Sequence, residues 1–324
     1  MKFKDDRLMS NEDLIDIGNT MFVTLLITKF CNIKCWYCDV LTNSPKKSRF
    51  MNLLDLDMII HFIDIQDQPK KPNICINFFG GEPTLNPHLS NMVYKIKEYF
   101  EGKRNVDILI TTNLIKPLEY FKGLPKELTY AASFHSDWVK DPDEWFEKAR
   151  YLNNNGQLYH AVLMMQMDNM GLIYHHMHKN YDIPSIVCPI DQIINDKKYI
   201  EYKEEFDNWD MFEDSEKELF YDKEGVKKYH MCSSGIIIDE YGNLYNCWPT
   251  INKSVTNVFE NPDKKIPGWH ICDNYTPNCD MEVIRSSIKF YVENIECPQP
   301  EGNEYTLEEL KKYKNRSILF RCNA

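Results

Sequence analysis

Three cysteines, Cys31, Cys35 and Cys38, fall inside one short stretch, CNIKCWYC, residues 31–38. A loop with thiols at C-x3-C-x2-C spacing has little freedom, because its backbone is committed to wrapping a single centre. Three thiolates this close can hold three corners of a cubane [4Fe–4S] cluster. The fourth iron then lacks a protein ligand and is open to a small molecule. Clustered cysteines also bind zinc, but zinc sites usually draw on two separated cysteine pairs, and this trio stands alone near the N-terminus. The loop is fed directly by the β-prone run MFVTLLIT, residues 21–28.

The chain has 324 residues, which implies one large domain or a main domain with a smaller one. Its hydrophobic fraction of 43% is ample for a core of that size. No apolar run reaches the length of a membrane span, and MKFKDDRLMS does not read as a signal peptide. The expectation is a cytoplasmic protein with no membrane association. A formal net charge of −11 disfavours nucleic acid as a partner, since phosphate contacts need Lys and Arg. Eleven cysteines in such a chain point to metal or redox chemistry, and an odd number cannot all pair as disulfides.

Hydrophobic patterning predicts strands over 21–28, 73–79, 106–111, 128–134, 158–166 and 183–190. Helical spacing falls between them at 53–66, 88–101, 142–153 and 169–179. Alternating strands and helices imply right-handed βαβ units and a parallel sheet, as a barrel or as a doubly wound sheet. The cysteine loop follows the first strand, which puts it at the C-terminal edge of the sheet, where α/β folds bind ligands. Residues 200–229 are acidic with interspersed aromatics and read as a solvated linker with a helix. GIIIDEYGNLYNCW, residues 235–248, carries two β-prone arms around Tyr-Gly-Asn and reads as a hairpin. A helical patch is expected near 305–314.

Straight after the second predicted strand comes GGEP: Gly80, Gly81, Glu82 and Pro83. Alone, this is an ordinary tight turn with glycines free to take positive φ. Together with the cysteine spacing and Tyr37 just before the last cysteine, it resembles the radical S-adenosylmethionine (radical SAM) superfamily. That resemblance implies an α/β fold, a partial (β/α)6 barrel. It implies a [4Fe–4S] cluster on Cys31, Cys35 and Cys38 whose open iron binds the amino and carboxylate groups of SAM. One electron then cleaves SAM to methionine and a 5′-deoxyadenosyl radical, which abstracts hydrogen from substrate. Gly80 and Gly81 would expose backbone to SAM's ammonium group, and Glu82 would accept its hydrogen bonds. Tyr37 would lie against adenine, Asn113 on the ribose, and Ser133 on the carboxylate or ribose. Asn113 in TTN equally suits a helix cap or turn. His135 has a substrate-contact reading beside a structural one. Cys188 reads as a buried, inert thiol, and Met164, Met165 and Met167 as core.

Cys232, Gly242 and Cys247 form C-x9-G-x4-C. This resembles the opening of the SPASM and twitch extensions of radical SAM enzymes, which carry auxiliary [4Fe–4S] clusters. The further SPASM run C-x2-C-x5-C-x3-C is absent, and Cys272 and Cys279 match no step of it. The resemblance therefore implies one auxiliary cluster, on Cys232, Cys247, Cys272 and Cys279, with Cys297 or Cys322 as substitutes for the last two. A zinc ribbon-like site or buried free thiols compete with it. The expected organisation is a core barrel over 20–195, an acidic linker over 196–230, and a twitch- or SPASM-like extension over 231–324. The implied partners are a reducing protein such as flavodoxin or ferredoxin and a substrate that is a small polar molecule or a peptide. With about 20 residues before the first strand, no separate peptide-recognition domain is evident, which tilts the reading toward a small molecule. The competing class is a non-catalytic iron–sulfur or zinc metalloprotein with a structural or electron-transfer role. GGEP speaks against it, because such a protein needs no SAM cradle.

Overall fold

The order of the fold begins with β1, Thr20–Thr28, which leads into the cysteine loop. A computed structural model describes residues 20–38, 48–66, 72–165, 183, 185–189, 229–233, 236–245, 254–266, 269–272 and 304–305, with backbone alone at 165, 185–189, 229–233, 269–272 and 304–305. After the loop come α1, Leu53–Gln66, and β2, Asn73–Gly80. A 3-10 turn over Pro83–Leu85 precedes α2, Leu89–Phe100, and β3, Asn105–Thr112. A short α3, Leu118–Lys122, leads to β4, Leu128–Phe134, and then α4, Pro142–Asn154, to β5, Leu158–Met165. The remaining strands are β6 (Ser185–Pro189), β7 (Tyr229–Ser233), β8 (Ile236–Ile238), β9 (Asn243–Tyr245), β10 (Thr256–Asn257), β11 (Trp269–Cys272) and β12 (Glu304–Tyr305).

β1 to β6 lie side by side in chain order, each parallel to the next. Such an order has no reversal, so the sheet is singly wound; a doubly wound sheet would switch direction at a crevice. Right-handed crossovers then carry every helix to the same face. The burial pattern agrees. Ile74, Ile76 and Phe78 of β2, Val106, Ile108 and Ile110 of β3, and Leu128, Tyr130 and Phe134 of β4 share one core with Leu56, Ile59, Ile63, Met92, Val93, Ile96, Phe146 and Leu152 of the helices. At alternate positions Asn77, Thr111 and Ser133 are half-buried and polar, while Leu26 packs with Ile237, Tyr245 and Phe79 in a second, small apolar cluster. One face of the sheet is thus the main apolar layer, and the other is mixed, with hydrogen-bonding side chains beside that small cluster.

Two of the helices, α1 and α4, start at side-chain caps. Asn52 caps α1 by accepting from the backbone N–H groups of Leu54 and Asp55, and Asp55 accepts back from Asn52 N at 2.9 Å. This is a reciprocal capping box with Asn and Asp in the two roles. Asp141 caps α4 by accepting from Glu144 N, with Pro142 in the first helical position, where its missing N–H costs nothing. Among the described residues no helix is long and apolar enough to cross a membrane.

Beyond β6 the chain returns to the same sheet. β8 pairs in parallel with the free side of β1, β9 pairs antiparallel with β8, and β10 with β9, giving nine strands. The β8–β9 turn holds Gly242 at φ +82°, a conformation that suits glycine. β7, β11 and β12 form a separate three-stranded antiparallel sheet. The helix expected over 169–179 and the acidic linker up to residue 228 lie outside the described residues. Of the helical patch expected near 305–314, Tyr305 is in β12 and the rest lies outside them.

Candidate active site

The three cysteines stand in the loop that leaves β1 at the C-terminal edge of the parallel sheet. Cys38 N donates to Cys35 O at 3.3 Å, which turns the chain back on itself. All three are free thiols of intermediate exposure. As thiols, Cys31 is pushed up to about 12 and Cys35 to about 11, in each case chiefly by burial. The other two cysteines add to the rise at Cys31, so the three sulfurs lie within electrostatic reach of one another. Three thiols on one short loop are the donor set a cubane needs, since it takes one thiolate per iron.

GGEP is bound to this loop through its backbone. Gly81 N donates to Thr28 O, and Glu82 N donates to Phe30 O, each at 2.8 Å. The approach leaves no room for side chains. A Cβ on Gly80, whose φ is +135°, would lie 2.0 Å from Thr28 O, and one on Gly81 would lie 2.3 Å from Phe30 O. Those neighbours are backbone and cannot swing aside. Gly81→Ala is therefore expected to cost about 2–4 kcal/mol by forcing the two loops apart. Thermal melting and iron content should fall together, and an alanine variant with native melting and iron would show that the loops are not so tightly joined.

Glu82 is buried, and its carboxylate is fully engaged. Oε1 accepts from Thr84 N at 3.0 Å, Thr84 Oγ1 at 2.6 Å and Thr112 Oγ1 at 2.8 Å, while Oε2 accepts from Asn113 N at 2.9 Å. Burial pushes its pKa up, and these bonds oppose the rise. Glu82 thus ties the exit of β2 to the exit of β3. Asn113 continues the chain of contacts: its Nδ2 donates to Asn32 Oδ1 in the cysteine loop at 2.8 Å, and its carbonyl accepts from Trp145 Nε1 at 2.9 Å. The next residue, Leu114, is buried at φ +52°, a left-handed conformation costly for leucine. Strain is therefore held at the β3 exit, beside the candidate ligand residue.

The loop is also pinned from the far side of the sheet edge. Tyr37 Oη and His135 Nδ1 lie 2.7 Å apart, and Cys35 Sγ is 3.5 Å from the same nitrogen. The Tyr37 and His135 rings are stacked, with centroids 6.1 Å apart. Burial pushes His135 down to about 4, so its ring is neutral at pH 7. Ser133 is half-buried on the polar face of β4, two residues before His135.

Some contributors had no strong signal in the sequence. Lys29, directly before the loop, is buried with its Nζ 3.7 Å from Asp239 and 4.0 Å from Glu240. Ser48 joins them: it accepts from Lys29 N at 3.0 Å and donates to Glu240 Oε1 at 3.2 Å. Asp239 and Glu240 come from the turn after β8, so only the pairing of β8 with β1 brings them here. Asn32, Thr84 and Thr112 likewise acquire roles only through the contacts above.

The structure thus brings Cys31, Cys35, Cys38, Tyr37, Gly80, Gly81, Glu82, Asn113 and Ser133 to one edge of one sheet. Cys232 and Cys272 are on β7 and β11 of the smaller sheet, and Cys247 and Cys279 lie outside the described residues.

Comparison with known proteins agrees with this geometry. A solved structure described as native anSMEcpe with bound AdoMet and Cp18Cys peptide shares 14% identity, covers 86% of each chain and superposes with a TM-score of 0.54. The same protein with AdoMet and a Kp18Cys peptide gives 15% identity, 86% coverage of each chain and a TM-score of 0.53. At such identity the likeness speaks for the fold. Among curated proteins, GTPase Obg of Brachyspira hyodysenteriae (strain ATCC 49526 / WA1) is 29% identical over 98 residues, 30% of this chain. The match spans only 14% of that protein's length. Residues 25–136, which hold the cysteine loop, GGEP, Asn113 and Ser133, match the Radical SAM superfamily and make up a radical SAM domain.

Proposed function

We propose that this chain is a radical SAM enzyme with Cys31, Cys35 and Cys38 as the ligands of its [4Fe–4S] cluster. The observation that carries the reading is the join of two loops: three free thiols on the β1 exit, and GGEP hydrogen-bonded to that same loop. When bound, the cluster supplies the electron that splits SAM into methionine and a 5′-deoxyadenosyl radical, which takes hydrogen from substrate. The protein's part is to bind, orient and exclude water. Gly80 and Gly81 leave backbone exposed beside the loop, and Glu82 places a carboxylate within the same turn. Asn113 and Ser133 stand at the exits of the next two strands, where they would meet SAM's ribose and carboxylate. Tyr37, held by His135, would lie against the adenine.

The singly wound sheet, with helices on one face and a mixed face bearing Asn77, Thr111 and Ser133 on the other, supports a partial (β/α)6 barrel whose interior is that mixed face. Residues 231–324 serve as a twitch- or SPASM-like extension carrying an auxiliary iron–sulfur centre. Its ligands are Cys232 and Cys247, joined by Cys272 and Cys279, for which Cys297 or Cys322 could substitute. The protein works in the cytoplasm and takes its electrons from a flavodoxin or ferredoxin. Its substrate is a small polar molecule or a peptide.

Anaerobic reconstitution with iron and sulfide, then incubation with SAM and a reductant, tests the reading. The expected result is about four irons per chain in the loop cluster and release of 5′-deoxyadenosine. Protein that binds iron or zinc but never cleaves SAM would instead be the non-catalytic metalloprotein.

A further inference from the structure

The sulfurs of the cysteine loop stand in unequal surroundings. Cys31 takes a hydrogen bond from the backbone of Ile33, within the loop itself. Cys35 is met by side chains. The Tyr37 hydroxyl hydrogen-bonds to its sulfur, which favours the thiolate. His135, at the β4 exit, places Nδ1 3.5 Å from the same sulfur and 2.7 Å from Tyr37 Oη. The phenol oxygen, the ring nitrogen and the sulfur are therefore mutual neighbours. Both rings are held in place. Tyr37 is buried and stacks on His135. The His135 carbonyl accepts from Trp138 N at 2.9 Å and from Val139 N at 3.0 Å, which fixes its backbone.

The protons of this trio can be placed by elimination. A thiolate bound to iron accepts hydrogen bonds and donates none. A bare Nδ1 would take the Tyr37 proton, and nothing would be left to donate to the sulfur. With a proton on Nδ1, the ring donates to Tyr37 Oη or to the sulfur, and the Tyr37 O–H is free to donate to the sulfur. A hydrogen bond onto a cluster ligand draws charge from it and favours the reduced, more negative state. We infer that Tyr37 and the Nδ1–H tautomer of His135 form a hydrogen-bonding cap on Cys35 Sγ that raises the reduction potential of the loop cluster. The inference rests on the proposal that Cys31, Cys35 and Cys38 hold that cluster. It makes His135 a positioning residue that acts through Tyr37 and Cys35. It also gives the Tyr37 hydroxyl a role apart from the place of its ring beside adenine.

The test is a redox titration of the anaerobically reconstituted full chain, without SAM, followed by EPR. The loop cluster's signal is the one missing from a chain carrying Cys31→Ala, Cys35→Ala and Cys38→Ala. Tyr37→Phe with His135→Leu removes both donors. Its iron content should match that of the parent, while its reduction equilibrium should fall roughly ten-fold, which is about 59 mV for one electron. Tyr37→Phe with His135→Gln returns an amide N–H to the site and should recover most of the fall. Tyr37→Phe alone, which keeps the stacked ring, should show part of it. Circular dichroism before reconstitution shows that each variant is folded. A parent potential in Tyr37→Phe, or in the folded leucine double variant, overturns the inference and leaves the cluster assignment standing. Equal falls with leucine and with glutamine overturn it as well, because they mark a change of packing. A folded parent chain that takes up no cluster on the loop overturns both readings.

Discussion

Replacing any one of Cys31, Cys35 or Cys38 with alanine is expected to reduce 5′-deoxyadenosine formation to background. Two thiolates cannot hold a cubane whose fourth iron must stay free for SAM. The effect should be chemical and leave the fold intact, because the loop is held mainly by contacts that do not use the sulfurs, the Cys35 Sγ–His135 Nδ1 contact apart. Gly81 N to Thr28 O, Glu82 N to Phe30 O, Asn113 Nδ2 to Asn32 Oδ1 and the Tyr37–His135 pair all survive the substitution. Melting temperature before reconstitution should therefore stay close to that of the parent, while iron in the loop cluster is lost. Iron analysis and chromatographic detection of 5′-deoxyadenosine make the check. A single-cysteine variant that cleaves SAM at the parent rate would remove these residues from the cluster.

The second large effect is expected at Glu82. In Glu82→Ala, Thr84 N, Thr84 Oγ1, Thr112 Oγ1 and Asn113 N all lose their acceptor in a buried setting. A buried donor left unpaired costs about 1–3 kcal/mol, and with partial relaxation the sum should reach about 3–5 kcal/mol. For a chain of this size that corresponds to a fall in Tm of roughly 10 °C. Glu82→Gln should be milder. It keeps the shape and one oxygen, and burial already favours the neutral form of the carboxyl. Its amide end would nevertheless meet the Asn113 N–H with a donor. The two variants together separate structure from binding. A glutamine variant with near-native Tm but SAM affinity lowered about ten-fold or more would place Glu82 in direct contact with SAM. Native affinity in that variant would confine Glu82 to holding the β2 and β3 exits together. Titration of SAM against the cluster's EPR signal makes the measurement.

The strands β1 to β6 and the helices α1, α2 and α4 were legible in the sequence, because each carries enough period-2 or helical spacing to be read locally. α3, Leu118–Lys122, was not: five residues following Pro117 are too short to show a period. The cysteine loop and GGEP were legible as motifs, since their residue types and spacing are themselves the chemistry. What their residues touch was not. Glu82 looked like a free acceptor for a ligand, yet it accepts four hydrogen bonds, two from Thr84 in its own turn and two from Thr112 and Asn113 at the distant β3 exit. Lys29 gave no signal, because Asp239 and Glu240 reach it only when β8 pairs with β1. The positive φ of Leu114 is likewise invisible in a residue type that usually avoids it. In the extension, the hairpin turn at Gly242 was local and readable, whereas the pairing of β7 with β11 and β12 joins strands distant in the chain.

The pairing of β8 with β1 also bears on the order in which the molecule can be completed. β1 leaves the ribosome long before Ile236–Ile238, yet that later segment fills one of its two hydrogen-bonding edges. Until that segment is synthesised, the strand that carries the cysteine loop is an open edge, the kind of surface that invites pairing with another chain. Lys29, at the mouth of the loop, waits for its carboxylates over the same interval. The foundation of the candidate metal site is thus made well before it can be finished.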